Sequence, residues 1–180
     1  ESLVYIKVLG SFDDSEIANA FLTSLVGGIE NDGVQKAFKG LLDTNRIDGL
    51  ALLPSPSNDN ITGSEFDDAI RAGEEDDFVH LGAGNDLIRL GTGSDMVTLG
   101  DGEDTVLITV DQLDSQTDTV TDWNIADSLA LEKGISYSLF GDNDNTLLLT
   151  TNINDESRSL NLVLNGWNGN LNALTVITDL

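Results

Sequence analysis

A period of nine residues runs through the middle of the chain and constrains its fold more than any other feature of the sequence. In register it reads LGAGNDLIR from Leu81, LGTGSDMVT from Leu90 and LGDGEDTVL from Leu99, preceded by the less regular GSEFDDAIR from Gly63 and AGEEDDFVH from Ala72. Asp59, Asp68, Asp77, Asp86, Asp95 and Asp104 share one phase of this period. Ile61, Ile70, Val79, Ile88, Val97 and Val106 share the phase two residues later. Acidic and β-branched residues held in fixed phase specify a stack of short equivalent units, none of which can bury its apolar face alone.

Each place of the repeat has a physical task. The first six residues make a turn, and the glycines in it (Gly73; Gly82 and Gly84; Gly91 and Gly93; Gly100 and Gly102) allow the positive φ that aims carbonyl oxygens at a common centre. Ala83, Thr92 and Asp101 lie between the paired glycines and add their own carbonyls. The aspartate at the sixth place adds a charged oxygen. The last three residues make a short strand whose middle side chain points inward. Two such units bring the chain back to its starting side, so coils should stack at about 4.8 Å. The aspartates then fall into two columns, Asp68, Asp86 and Asp104 on one edge and Asp59, Asp77 and Asp95 on the other. Stacked carboxylates require a cation, and calcium fits best: it takes six to eight oxygens at roughly 2.3–2.6 Å, where magnesium demands a tighter octahedron and keeps its waters. The candidate ligands are therefore the phased aspartates and the turn residues just named.

The composition agrees. Eight basic residues against 32 acidic ones give a formal charge of -24, which opposes compaction unless something cationic sits among the carboxylates. The same charge argues against nucleic acid and against anionic lipid as direct partners. With no cysteine there is neither a disulfide nor a thiolate metal site, so a metal must be bound through oxygen. A single histidine and no H-E-x-x-H motif leave no basis for a catalytic centre. His80, at the ninth place of its repeat, should face solvent. No stretch is apolar enough for a membrane span, and the start Glu1-Ser2-Leu3 lacks a cleavable signal, so the chain reads as an excised, soluble fragment.

Three regions are expected. Residues 1–53 carry an apolar run from Leu3 to Leu9 and two short helices, the first with Ile17, Ala18, Phe21, Leu22 and Leu25 at helical spacing and the second with Val34, Ala37, Phe38, Leu41 and Leu42. Pro54-Ser55-Pro56-Ser57 marks a junction, and 54–107 form the repeat region. Residues 108–180 read as an antiparallel β cap, with Gly141–Asn145 as its best hairpin turn, further turns at Asn165-Gly166 and Asn168-Gly169, and Trp123 and Trp167 as core or capping residues.

The repeats of residues 58–107 resemble the G-G-x-G-x-D-x-U-x pattern of RTX (repeats-in-toxin) proteins. Ser64, Phe66 and Glu75 stand where that pattern has glycine. Downstream, DTVTDWNIADSLAL from Asp118 resembles the D-x-I-x-D-F segment that often follows such repeats in type I secreted proteins. The resemblance implies an all-β-dominated fold, a right-handed parallel β-roll binding several calcium ions. It also implies an extracellular or cell-surface setting after type I secretion from a bacterium, and a place in the C-terminal part of a large RTX adhesin. Two other readings stay open: an accessory domain of a secreted protease or lipase, and an adhesive module with a ligand of its own.

Overall fold

Each repeat places two apolar residues two positions apart, as with Val79 and Leu81, Ile88 and Leu90, and Val97 and Leu99. That spacing suits a strand with one face inward. The computed structural model describes residues 5–7, 50–52, 56–140, 145–171 and 174–177. Its strands in chain order are β1 (Tyr5–Lys7), β2 (Leu50–Leu52), β3 (Asn60–Thr62), β4 (Ala69–Glu74), β5 (Phe78–Ala83), β6 (Leu87–Thr92) and β7 (Met96–Asp101). They continue with β8 (Thr105–Ile108), β9 (Thr117–Val120), β10 (Ser128–Leu131), β11 (Ser136–Leu139), β12 (Thr146–Ile153), β13 (Glu156–Leu164) and β14 (Thr175–Ile177). A short 3-10 helix, Val110–Gln112, follows β8.

Successive repeat strands go alternately to two sheets. The first sheet runs β1-β2-β4-β6-β8-β10-β14 and the second β3-β5-β7-β9-β13-β12-β11. Neighbours within the repeats are parallel and one coil apart, Ile70 beside Ile88, Ile88 beside Val106, Val79 beside Val97. Both sheets turn their apolar phases toward each other, and Ile70, Ile88, Val106 and Leu129 meet Val79, Val97 and Val120 in one core. The described residues form a β-roll whose repeat strands pair in parallel. β2, on the N-terminal side of Pro54, is hydrogen bonded to β4.

The roll does not stop with the repeats. Thr105 to Ile108 of β8 pair in parallel with Ser128 to Leu131 of β10, and Met96 and Val97 of β7 with Thr119 and Val120 of β9. This coil is longer than those below it because the chain makes an excursion through the 3-10 helix. Gln112 anchors the excursion by accepting the backbone N–H and the hydroxyl of buried Thr109 through Oε1, at 2.7 and 2.8 Å.

The expected antiparallel cap is accordingly altered. Within 108–180, antiparallel pairing among the described strands is confined to β11-β12-β13, and β13 joins β9 in parallel. Asn154 and Asp155, both at positive φ (52° and 66°), turn the β12–β13 hairpin without any glycine. The helices expected within 1–53, and most of the Gly141–Asn145 turn, lie outside the described residues. Trp123 is buried in the core and Trp167 packs against it.

Stacking at strand separation leaves no room for side chains at some turns. A methyl group on Gly91 (φ +128°) would fall on the carbonyl oxygen of Gly73 one coil below, whereas one on Gly134 (φ +98°) would meet nothing nearer than Thr151 Oγ1 at 3.9 Å. Gly134→Ala should therefore carry the backbone strain alone, about 1–3 kcal/mol. Gly91→Ala should cost clearly more, because two coils must separate. Urea unfolding of both variants in saturating calcium checks this.

Candidate metal centre

The phased aspartates form two hydrogen-bonded ladders. On one edge the backbone N–H of Asp59 donates to Oδ1 of Asp77 (2.8 Å), that of Asp77 to Asp95 (2.9 Å) and that of Asp95 to Asp118 (3.0 Å). On the other, Asp68 donates to Asp86 (2.7 Å), Asp86 to Asp104 (2.8 Å) and Asp104 to Asp127 (3.3 Å). The steps within the repeats are 18 residues and the last step of each ladder is 23. Asp118 and Asp127 thus continue the series one coil beyond the residues singled out from sequence.

One oxygen of each carboxylate is used in this way. The Oδ2 atoms of Asp77, Asp86, Asp95, Asp104 and Asp118 are buried and have no hydrogen-bond partner. An unpaired carboxylate oxygen shielded from water is costly, and several in two columns call for a common explanation. Among the described residues no three carboxylates or histidines converge on one point. A cation at these loops would take one or two carboxylate oxygens and complete its shell with neutral oxygens, backbone carbonyls or water. Hard oxygen donors in irregular loops match calcium, whose coordination geometry is flexible.

The glycines of the turns adopt the conformation expected of them. Gly73, Gly82, Gly84, Gly91, Gly93, Gly100 and Gly102 all have positive φ. Glu75, in the place of a glycine, also enters the left-handed region (φ 70°), so its turn keeps the shape of the regular ones. Ala83, Thr92 and Asp101 sit between the paired glycines, and the Asp101 carbonyl accepts the Gly84 N–H at 2.9 Å.

The first turn differs in kind. Ser64 donates its backbone N–H to Asp68 Oδ2 (2.6 Å) and its hydroxyl to Asp68 Oδ1 (2.8 Å), tying both oxygens within the turn. Asp59 is only half-buried. At the far end, Asp127 Oδ2 accepts the Asn124 N–H (2.8 Å), so Asp127 ends its ladder with both oxygens satisfied, whereas Asp118 does not. Two further carboxylates close the upper loops. Asp122 accepts the N–H groups of Leu99 (2.8 Å) and Gly100 (2.9 Å), and Asp114 accepts that of Gly93 (2.8 Å). The sequence signal for Asp118, Asp122 and Asp127 was the segment DTVTDWNIAD, but the longer excursion through the 3-10 helix takes it out of nine-residue phase.

Burial is the main force on these groups in the metal-free chain. It pushes Asp77 and Asp86 up to about 7, Asp95 and Asp104 up to about 6 and Asp118 up to about 8, against a hydrogen bond to each that lowers the value; neighbouring aspartates raise it further. Because folding raises these values above the unfolded 3.8, the metal-free fold binds more protons than the unfolded chain. Its proton-linked stability is full below about pH 4 and is lost as pH rises through 6 to 8. Circular dichroism of metal-free protein should therefore show more β structure at pH 5 than at pH 8. The calcium requirement should run the other way, with the apparent affinity falling as the pH is lowered from 8 to 5.5.

The family of RTX calcium-binding nonapeptide repeats (4 copies) matches residues 55–88 and again 72–106. No curated protein matches the chain. Among solved structures, the chain is similar to the AlgE6R3 subunit of the Azotobacter vinelandii mannuronan C5-epimerase, with 18% identity, 68% of this chain and 80% of that one covered, and a TM-score of 0.48. The AlgE6R2 subunit of the same epimerase matches with 20% identity, 66% and 92% coverage and a TM-score of 0.42. Over residues 55–106 the chain carries calcium-binding nonapeptide repeats of the RTX type, and the ion they bind is calcium.

Proposed function

We infer that this chain is a structural module whose folding is conditional on calcium, working outside the cell as part of a larger, type I secreted protein of the adhesin kind. The observation that carries the calcium-conditional reading is the set of buried, unpaired Oδ2 atoms on Asp77, Asp86, Asp95, Asp104 and Asp118. In water each of these oxygens is solvated, and in the roll each loses that water without gaining a protein donor. Bound calcium supplies positive charge and oxygen-binding capacity at the loops. The aspartates orient toward it because their Oδ1 atoms are pinned by the coil below. The turn glycines keep carbonyls directed at the same space.

Where free calcium is scarce, the net charge of -24 and the exposed cost of two carboxylate columns favour the open chain, the form a secretion channel accepts. Extracellular calcium modules bind with dissociation constants of about 10⁻⁴–10⁻³ M, which suits folding after export. The adhesin setting rests on the resemblance of the repeats and of the segment from Asp118. The role assigned to the module itself is to fold, stiffen and hold its neighbours in place.

Circular dichroism should show metal-free protein at pH 8 largely without β structure, with a cooperative gain on adding calcium. Magnesium at the same concentration should not replace it. A folded spectrum in metal-free buffer at pH 8, or full folding in magnesium alone, contradicts the reading.

The loops should contribute unequally. Asp86 is buried, carries an unpaired Oδ2 and holds the N–H of Asp68, while half-buried Asp59 lies at the first turn. Asp86→Ala should raise the calcium midpoint of folding several-fold more than Asp59→Ala. A titration followed by tryptophan fluorescence, with Trp123 in the adjoining core, measures both; equal midpoints would mean that the columns do not share the metal as described.

A further inference from the structure

The nine-residue period does not end with the matched repeats. After five intervening residues, 108–112, it resumes as LDSQTDTVT from Leu113 and DWNIADSLA from Asp122. Asp118 and Asp127 take the sixth place of these two units, and Val120 and Leu129 the eighth, where both are buried in the core. The five added residues account for ladder steps of 23 rather than 18. What the two units lack is glycine: Asp114 and Gln116 stand at the second and fourth places of the first, Trp123 and Ile125 at those of the second.

The first of these units is hydrogen bonded to the loop 90–95 of the repeats. Asp95 donates its N–H to Asp118 Oδ1 (3.0 Å) and accepts the Thr119 N–H through its carbonyl (2.8 Å). Asp114, in the place of a glycine, accepts the N–H groups of Gly93 (2.8 Å) and Gln116 (3.0 Å), so both its oxygens are used in holding the two loops together. Asp95 and Asp118 are 2% and 0% exposed, and the Oδ2 of each has no partner. The second unit closes differently, because Asp127 Oδ2 accepts the Asn124 N–H. A buried carboxylate oxygen without a donor is costly, and here two of them belong to carboxylates on consecutive coils. A hard cation between the loops removes that cost, and two carboxylates completed by neutral oxygens are a donor set that calcium accepts.

We propose that the loop pair 90–95 and 113–118 holds a calcium ion of its own, with Asp118 as a ligand supplied from outside the matched repeats and Asp114 as the residue that positions its loop. The inference rests on calcium binding by the repeats and extends it to a unit beyond residue 106, where the family match stops.

Counting the ions bound per chain in saturating calcium, by native mass spectrometry, tests it. Asp118→Asn keeps an oxygen acceptor for the Asp95 N–H but removes the charge; it should bind one ion fewer than the unsubstituted protein and keep its β spectrum. Glu156→Gln, which removes a charge from an exposed carboxylate, should bind the full number. An unchanged count in Asp118→Asn overturns the proposal and leaves calcium in the repeats untouched, whereas an unsubstituted chain that binds no calcium overturns the reading of the repeats themselves. Anomalous diffraction from crystals of the unsubstituted protein grown in calcium gives a reading free of folding defects, and it decides the matter if Asp118→Asn does not fold. A calcium peak should lie about 2.3–2.6 Å from Asp118 Oδ2. Peaks at the repeat loops with none beside Asp118 refute the site.

Discussion

The hydrogen bond from the N–H of one aspartate to the carboxylate of the aspartate one coil on is the contact around which the roll is organised. It fixes Oδ1 and thereby fixes Oδ2, which is left pointing into a space with no protein donor. Strand pairing alone would stack the coils, but it would not demand anything from the solvent. The ladder brings together carboxylates that have lost their water and face one another, and these cannot all stay charged unaided. In the proposed function, stability and calcium sensing are a single property of the same atoms.

A ladder of this kind needs ends, and the ends are built differently from the middle. At the bottom of one edge Ser64 satisfies both oxygens of Asp68 from within its own turn. At the top of the same edge Asn124 takes the second oxygen of Asp127. Asp122 and Asp114 then neutralise the upward-facing N–H groups of Leu99, Gly100 and Gly93, which would otherwise await another coil. The residues that break the repeat pattern are thus the ones that let the repeat stop. The other edge ends in Asp118, whose free oxygen leaves it in the same condition as the interior members.

Much of this was legible in the sequence because side-chain period and coil length are locked together. Phased aspartates and β-branched residues gave the two columns and the inner core, and the turn glycines gave the sign of φ. What was hidden falls where that lock is released. The excursion through Val110–Gln112 shifts Asp118 and Asp127 out of phase, although the ladder bonds are unchanged in kind. Asn154-Asp155 turns a hairpin through two left-handed non-glycine residues, a weaker signal than the Gly141–Asn145 run. The parallel entry of β13 beside β9 depends on tertiary packing that no local pattern encodes.

The outer faces show a subtler limit of reading the chain in nines. Consecutive repeats lie on opposite sheets, so aligning them on nine residues superimposes two surfaces that never meet. Residue 71 then falls in line with His80, Arg89 with Thr98, and Leu87 with Met96, and the outward places look like random polar and apolar choices. Taken in steps of a full coil they separate cleanly. Ala69 and Leu87 lie in one row of the first sheet and Arg71, Arg89, Leu107 and Ala130 in the next, while Phe78 with Met96 and His80 with Thr98 form the rows of the second. The inner face and the loops obey the nine-residue rule because both edges carry the same aspartate ladder and both sheets share one core. The outer faces obey only the full coil, because each has its own surroundings.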